Sequence, residues 1–310
     1  MKPAAQPRDL PPVRTPRSGD VLKHLADSLR TQSQRYRKRL KECQQHFSED
    51  AVHKSRVETR RLLATVELLH AFIPDRDIEK SRVALKQHLD TFADLRDTQV
   101  QLVYVGRLIR AFPAARNFHE WLLKREARFA RRACKNIKRV KTKRLARRIG
   151  KFERQLRRLQ KHKTRGQAIG DVLAAMNRAF ARVAQLSRRA KAADTRTIHR
   201  TRIAFKRFRY MVEALAPLLP ALTEQHRHAL RGYQSMMGDI QDVEVLLAAL
   251  DKFLRRKEIN TGAARRLRNE LLRRRQWLIQ VYLNAAGKLR VFWPPPGLAI
   301  AGARKLKATA

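Results

Sequence analysis

The chain has 310 residues, 43% of them hydrophobic, and its 71 Lys and Arg against 27 Asp and Glu leave a net charge of +44. That length supports a sizeable core, but so much like charge opposes a compact state unless anions are near, so a polyanion is the expected partner: inorganic polyphosphate, nucleic acid or an anionic membrane surface. Cys43 and Cys134 alone exclude a disulfide framework and a zinc-type spacing, and there is neither a signal-peptide core nor a run approaching a membrane span, so a cytoplasmic protein is expected.

Residues 1–18 hold five prolines and are expected to form a disordered leader. Gly19-Asp20-Val21-Leu22 then opens a long helical pattern, and the same four residues recur as Gly170-Asp171-Val172-Leu173. Ser48 is the expected N-cap of a second helix, with Glu49 and Asp50 behind it, and Asp194 or Thr195 caps its counterpart. In that counterpart, helical periodicity puts His199, Arg202, Lys206, Arg209 and Glu213 on one side. Phe205, Phe208, Val212, Leu215 and Leu219 fall on the other. The apolar side can dock on a core, which leaves a rigid row of cations. The segment from His53 to Pro74 repeats the pattern: at a shift of 146, seven of 22 positions are identical, namely His53, Arg56, Arg61, Val66, Glu67, Leu69 and Pro74.

A third element follows in both halves, Ala93-Asp94-Leu95-Arg96-Asp97 matching Gly238-Asp239-Ile240-Gln241-Asp242. A fourth pairs Leu122-Leu123-Lys124-Arg125 with Leu271-Leu272-Arg273-Arg274. The order is kept and only linkers change, which predicts an internal duplication of about four helices per half. Strand signals are weak, so the fold expected is all-α. Between Lys124 and Arg165 stand 20 Lys and Arg and two acids, with Leu145, Ile149, Phe152, Leu156 and Leu159 in a helical stripe. A basic helix over about 141–165 is expected to join a first half, about 19–150, to a second, about 166–292. Its face is either solvated or an auxiliary surface for polyanions. Three prolines after Trp293 predict a disordered tail over 293–310.

Arg grips phosphate oxygens through a planar fork and Lys acts as a point charge. Cations at i, i+3 and i+7 make a ladder along one helix face, suited to a linear polyanion. A single basic face is ordinarily just solvated, but two copies with matched His, Arg and Glu positions point to shared work. His53 and His199 are placed in the first turns, where an imidazole could donate to phosphate beside free backbone amides. Glu67 and Glu213 are expected to hold neighbouring Arg side chains in register. Asp94, Asp97, Asp239 and Asp242 are read as partners of buried Arg or as helix caps. A metal site built from the histidines and these acids is disfavoured by the arginines around it. No phosphate loop, nucleophile–base order or acidic metal cluster is evident, so no enzyme and no cofactor are expected.

His53-x-x-Arg56-Val57-x-x-Arg60-Arg61 and His199-x-x-Arg202-Ile203-x-x-Lys206-Arg207-x-Arg209-Tyr210 resemble the CHAD domain, the conserved histidine α-helical domain. Leu95-Arg96-Asp97 and Gly238-Asp239-Ile240-Gln241-Asp242 are similar to its second signature. The resemblance spans about residues 19–292. It implies two four-helix bundles related by a pseudo-two-fold axis, and a basic surface and central pore that bind inorganic polyphosphate at cytoplasmic polyphosphate granules. The implied binding positions are His53, Arg56, Arg60, Arg61, His199, Arg202, Lys206, Arg207 and Arg209, with Lys124, Arg125, Arg273 and Arg274 adding to them. Leu63 stands where the family often has Arg, which implies fewer contacts from the first half. Family members are often fused to a triphosphatase domain of the CYTH type, for which this chain has no room. Architectural binding of nucleic acid, including non-specific binding, is the alternative on charge alone, though aromatics are 6% of residues and do not interleave with the cation rows. A metal-binding regulatory domain is the weaker alternative.

Overall fold

The computed structural model describes residues 18–219, 221–256 and 261–295. The expected leader falls outside these apart from Ser18, and the expected tail falls outside them from residue 296 on. The described residues are helical and contain no strand, beyond one isolated bridge between Lys191 and Asp194. The helices are α1 (Ser18–Gln45), α2 (Glu49–Leu68), α3 (Arg76–Asp90), α4 (Ala93–Leu108) and α5 (Ala115–Lys138), followed by α6 (Lys143–His162), α7 (Arg165–Arg188), α8 (Thr195–Leu215), α9 (Glu224–Arg256) and α10 (Gly262–Ala285). A 3₁₀ segment, Ala286–Phe292, closes the series.

The starts of α2 and α8 follow from their caps. The Ser48 hydroxyl accepts from Ala51 N, and the Asp194 carboxylate accepts from Arg196 N, so each satisfies one free amide at a helix start. Below the cation row of α8, Phe205, Phe208, Met211, Val212 and Leu215 are buried, and Phe205 stacks among Tyr233, Phe292 and Phe208. Burying one such ring contributes roughly 1.5–3 kcal/mol, so this side fixes the rotation of α8 and with it the direction of the row above.

Contacts gather the helices into two groups that cross the sequence halves. α1 and α2 pack together, α7 and α8 pack together, and the two pairs meet through α1–α7 and α2–α8. The other group joins α4 and α5 to α9 and α10, and α9 also packs extensively on α8, so the two groups share a broad contact. Each group therefore draws helices from both ends of the chain.

Two local expectations need correction, and the packing of α6 is a further finding. The basic helix expected over about 141–165 is present as α6. Its apolar stripe, Leu145, Ile149, Phe152 and Leu156, is buried along α1, and it is tied to the N-terminal end of α3 by Lys151, 2.8 Å from Asp75 and 3.2 Å from Asp77. Trp293, assigned to the tail, is buried. Its indole N–H donates to Asn177 at 2.6 Å and its ring meets Phe208 edge-on, because a large amphipathic ring with a partner for its N–H gains more inside than in water. The third repeated element begins a helix only in the first half, at Ala93. Its counterpart at Gly238 lies inside the 33-residue α9.

Candidate anion-binding site

α2 and α8 pack against each other and bring their basic faces together. Arg56 and Arg60 come from α2, Arg202 and Lys206 from α8, and all four are half-buried. Among the described residues none of the four has a carboxylate within ion-pair distance, and Arg56 Nη1 and Arg202 Nε are buried without a hydrogen-bond partner. Burial, and then Arg60, Arg202 and Arg56, hold the Lys206 ammonium down to about 8. Burial, and then Arg60 and Arg96, hold the Arg56 guanidinium down to about 10. A cation of α8 depressed by cations of α2 means that the two rows converge on one seam. Asp97 on α4 and Asp242 on α9 are the nearest opposing charges, and partial desolvation raises both carboxyls against the pull of Arg56 and Arg202. Arg202 rests against α9 at Gly238.

The remaining expected site residues divide. Arg207 reaches across the seam to the buried Glu67 at 3.2 Å, and burial pushes that carboxyl up against the pull of Arg207. Arg209 is buried, donates to Gln234 at 2.7 Å and to Glu213, and lies over the Tyr210 ring, so it braces the helix and is not free for a ligand. Arg61 is turned to Glu58 at 2.7 Å. Lys124 and Arg125 sit on α5 and Arg273 and Arg274 on α10, within the other helix group. There Arg125 lies over Trp121 and Phe129, Arg273 pairs with Glu270 at 2.7 Å, and Arg274 lies over Trp277 at 4.2 Å. Of these four, Arg125 comes nearest the seam: Asp97 faces it as well as Arg56, burial lowers its guanidinium, and its Nε is buried without a hydrogen-bond partner among the described residues.

The histidines also need correction. α2 begins at Glu49 and α8 at Thr195, so His53 and His199 are fifth residues, past the free amides of the first turn. His53 is exposed. His199 is half-buried, and its Nδ1 has no partner. Asp94 pairs with Arg132 at 3.6 Å, and none of the four signature aspartates caps a helix, since Phe92 holds the N-cap position of α4 and Asp239 and Asp242 lie within α9. Among the described residues no three His, Cys, Asp or Glu side chains gather as a metal site.

One end of the seam opens into a cleft of about 740 Å³ walled by α2, α3, α7 and α8. Arg60, Arg202, Lys206 and Arg207 line it, joined by Arg82 and Lys86 of α3, Arg178 and Arg182 of α7, and Arg200 of α8. Nine cations thus face two carboxylates, Glu67 and Asp90. Four of the five additional cations carried a signal in the sequence: Arg82 and Lys86, like Arg178 and Arg182, stand four apart and share a helix face. That those faces meet around one cleft is a tertiary fact.

The CHAD domain model matches residues 27–251. The chain belongs to the CHAD domain family. Among solved structures, the CHAD domain from the plant Ricinus communis superimposes with a TM-score of 0.65 at 18% identity, over 91% of this chain and 98% of that one. PptA from Streptomyces chartreusis superimposes with a TM-score of 0.61 at 17% identity, over 89% of this chain and 99% of that one. At such identities the likeness establishes the CHAD fold. No curated protein matches the chain in sequence. No helix among the described residues is long and apolar enough to cross a membrane.

Proposed function

We propose that this CHAD protein binds inorganic polyphosphate without turning it over, through the α2–α8 seam and the cleft it opens into, and that this binding holds it at polyphosphate granules. The observation that carries the proposal is the cluster of Arg56, Arg60, Arg202 and Lys206, cations held half out of water without counter-ions. Leaving them so costs stability, and a bound anion would relieve that cost. A chain of phosphates supplies closely spaced oxygens to several of them at once, which carboxylates scattered on a protein surface do not. The repeat of the His-x-x-Arg sentence on both helices fits the same use, with each copy supplying one wall. The sites expected on α5 and α10 become peripheral contacts for a long polymer. Duplex nucleic acid suits the half-buried seam poorly, because a duplex presents its phosphates on a broad convex surface.

Competition tests this directly. Long polyphosphate carrying a fluorophore is bound to the full chain at near-physiological salt, and unlabelled polyphosphate or duplex DNA is titrated in at matched phosphate concentration. Polyphosphate should displace the probe at far lower phosphate concentration. Equal or better displacement by DNA would transfer the assignment to nucleic acid.

A further inference from the structure

The cleft is not lined by cations alone. Its floor carries apolar side chains from both sides of the seam: Leu63 and Ala64 of α2, Ala175 and Ala179 of α7, and Ile203 of α8. Ile203 is 53% exposed although it follows the half-buried Arg202 directly. An inorganic phosphate chain has no apolar surface to lay on this floor, whereas an organic group would remove it from water. Charge narrows the choice of anion. A singly charged lipid headgroup would leave two of the three half-buried, unpaired cations Arg60, Arg202 and Lys206 without a counter-ion. A cleft of about 740 Å³ falls in the range of small-molecule sites and is narrow for a helix with its side chains. The small side chains Ala175 and Ala179, beside the exposed Ile203, form an apolar ledge with room for a flat group. At the same cleft the Tyr210 ring is held by the Arg209 guanidinium, 4.3 Å from its centroid.

A multiply charged phosphate chain that carries one flat ring meets all of these conditions. Taking the α2–α8 seam as a phosphate site, as above, we propose that the cleft binds nucleoside polyphosphates. The phosphates lie on Arg60, Arg202 and Lys206, and the base lies on the ledge around Ala179 and Ile203.

Titration calorimetry on the full chain, free of divalent cations, compares ATP, tripolyphosphate and long polyphosphate. Tripolyphosphate is the more highly charged short anion, so charge alone predicts that it binds more tightly than ATP. With the base on the ledge, ATP should instead bind about ten-fold more tightly, the scale of one base stacked on a side chain. Ile203→Asn, at an exposed position, and Ala179→Leu, which fills the ledge, should each remove most of that advantage and leave tripolyphosphate unchanged. If ATP binds no tighter than tripolyphosphate, or keeps its advantage in both variants, the nucleotide proposal is overturned while binding of the long polymer still stands. If ATP shows the advantage and the long polymer does not bind, the polyphosphate reading fails and the nucleotide site remains. If nothing binds, both fail.

Discussion

Lys206 concentrates the chemistry of the seam in one residue. Burial, and then Arg60, Arg202 and Arg56 as neighbours, lower its pKa from 10.5 to about 8. The unfolded chain therefore binds this proton more tightly than the folded one, so stability of the free protein rises as pH climbs from about 8 to 10.5. A phosphate oxygen beside the ammonium reverses the balance. Binding should then take up a proton near pH 9, and affinity should fall as pH rises above about 8. Calorimetry at that pH in two buffers of different ionisation enthalpy reads the uptake. Lys206→Met should raise stability by on the order of 1–2 kcal/mol, weaken polymer binding and abolish the uptake. A variant that is no more stable and binds as well would mean that Lys206 is not strained in the free protein. The neighbouring Arg209 teaches the opposite lesson. It lies on the same helix face in sequence, yet Glu213 and Gln234 occupy it. Position on a face was legible, but freedom to bind was not, because it depends on which acceptors the next helix supplies.

At the scale of elements, the sequence reads well wherever one helix face decides the outcome. The caps Ser48 and Asp194 and the apolar face beneath α8 are where periodicity puts them. Counting onward from those caps would also have placed His53 and His199 beyond the first turn. The break between α3 and α4 has no counterpart in the second half. There Met236-Met237 stand in place of Thr91-Phe92, and two good helix formers let α9 run on unbroken. The partners of α6 were invisible because Asp75 and Asp77 sit far from it in sequence. The cleft was invisible for a similar reason, since it exists only where α3 and α7 face each other across α2 and α8. The aromatic support under the cation row makes a prediction of its own. Phe205→Ala should cost about 3–5 kcal/mol, read as a lower denaturant midpoint with unchanged slope. A loss below 1 kcal/mol would mean that α8 is oriented by something other than this packing.

On the whole molecule, a net charge of +44 guarantees that any polyanion will be attracted at low salt, so attraction alone assigns nothing. Chain length discriminates better. A seam between two helices that opens into a cleft is longer than one triphosphate. A long chain occupies it with every later contact intramolecular, each releasing condensed counterions. Affinity should climb steeply from orthophosphate through tripolyphosphate to the long polymer and then level off, with the salt dependence steepening over the same range. Tripolyphosphate binding as tightly per site as the polymer would point to a compact pocket. The most direct test separates placement from quantity of charge. One variant reverses Arg56, Arg60, Arg202 and Lys206 to Glu. A second reverses Lys143, Arg147, Arg154 and Lys161 on the exposed face of α6, and circular dichroism checks that helix content is unchanged in both. Calorimetric titration with long polyphosphate should find binding abolished in the first and only modestly weakened in the second. Equal losses from the two sets would contradict the account, leaving net charge and not the α2–α8 seam as the cause of binding.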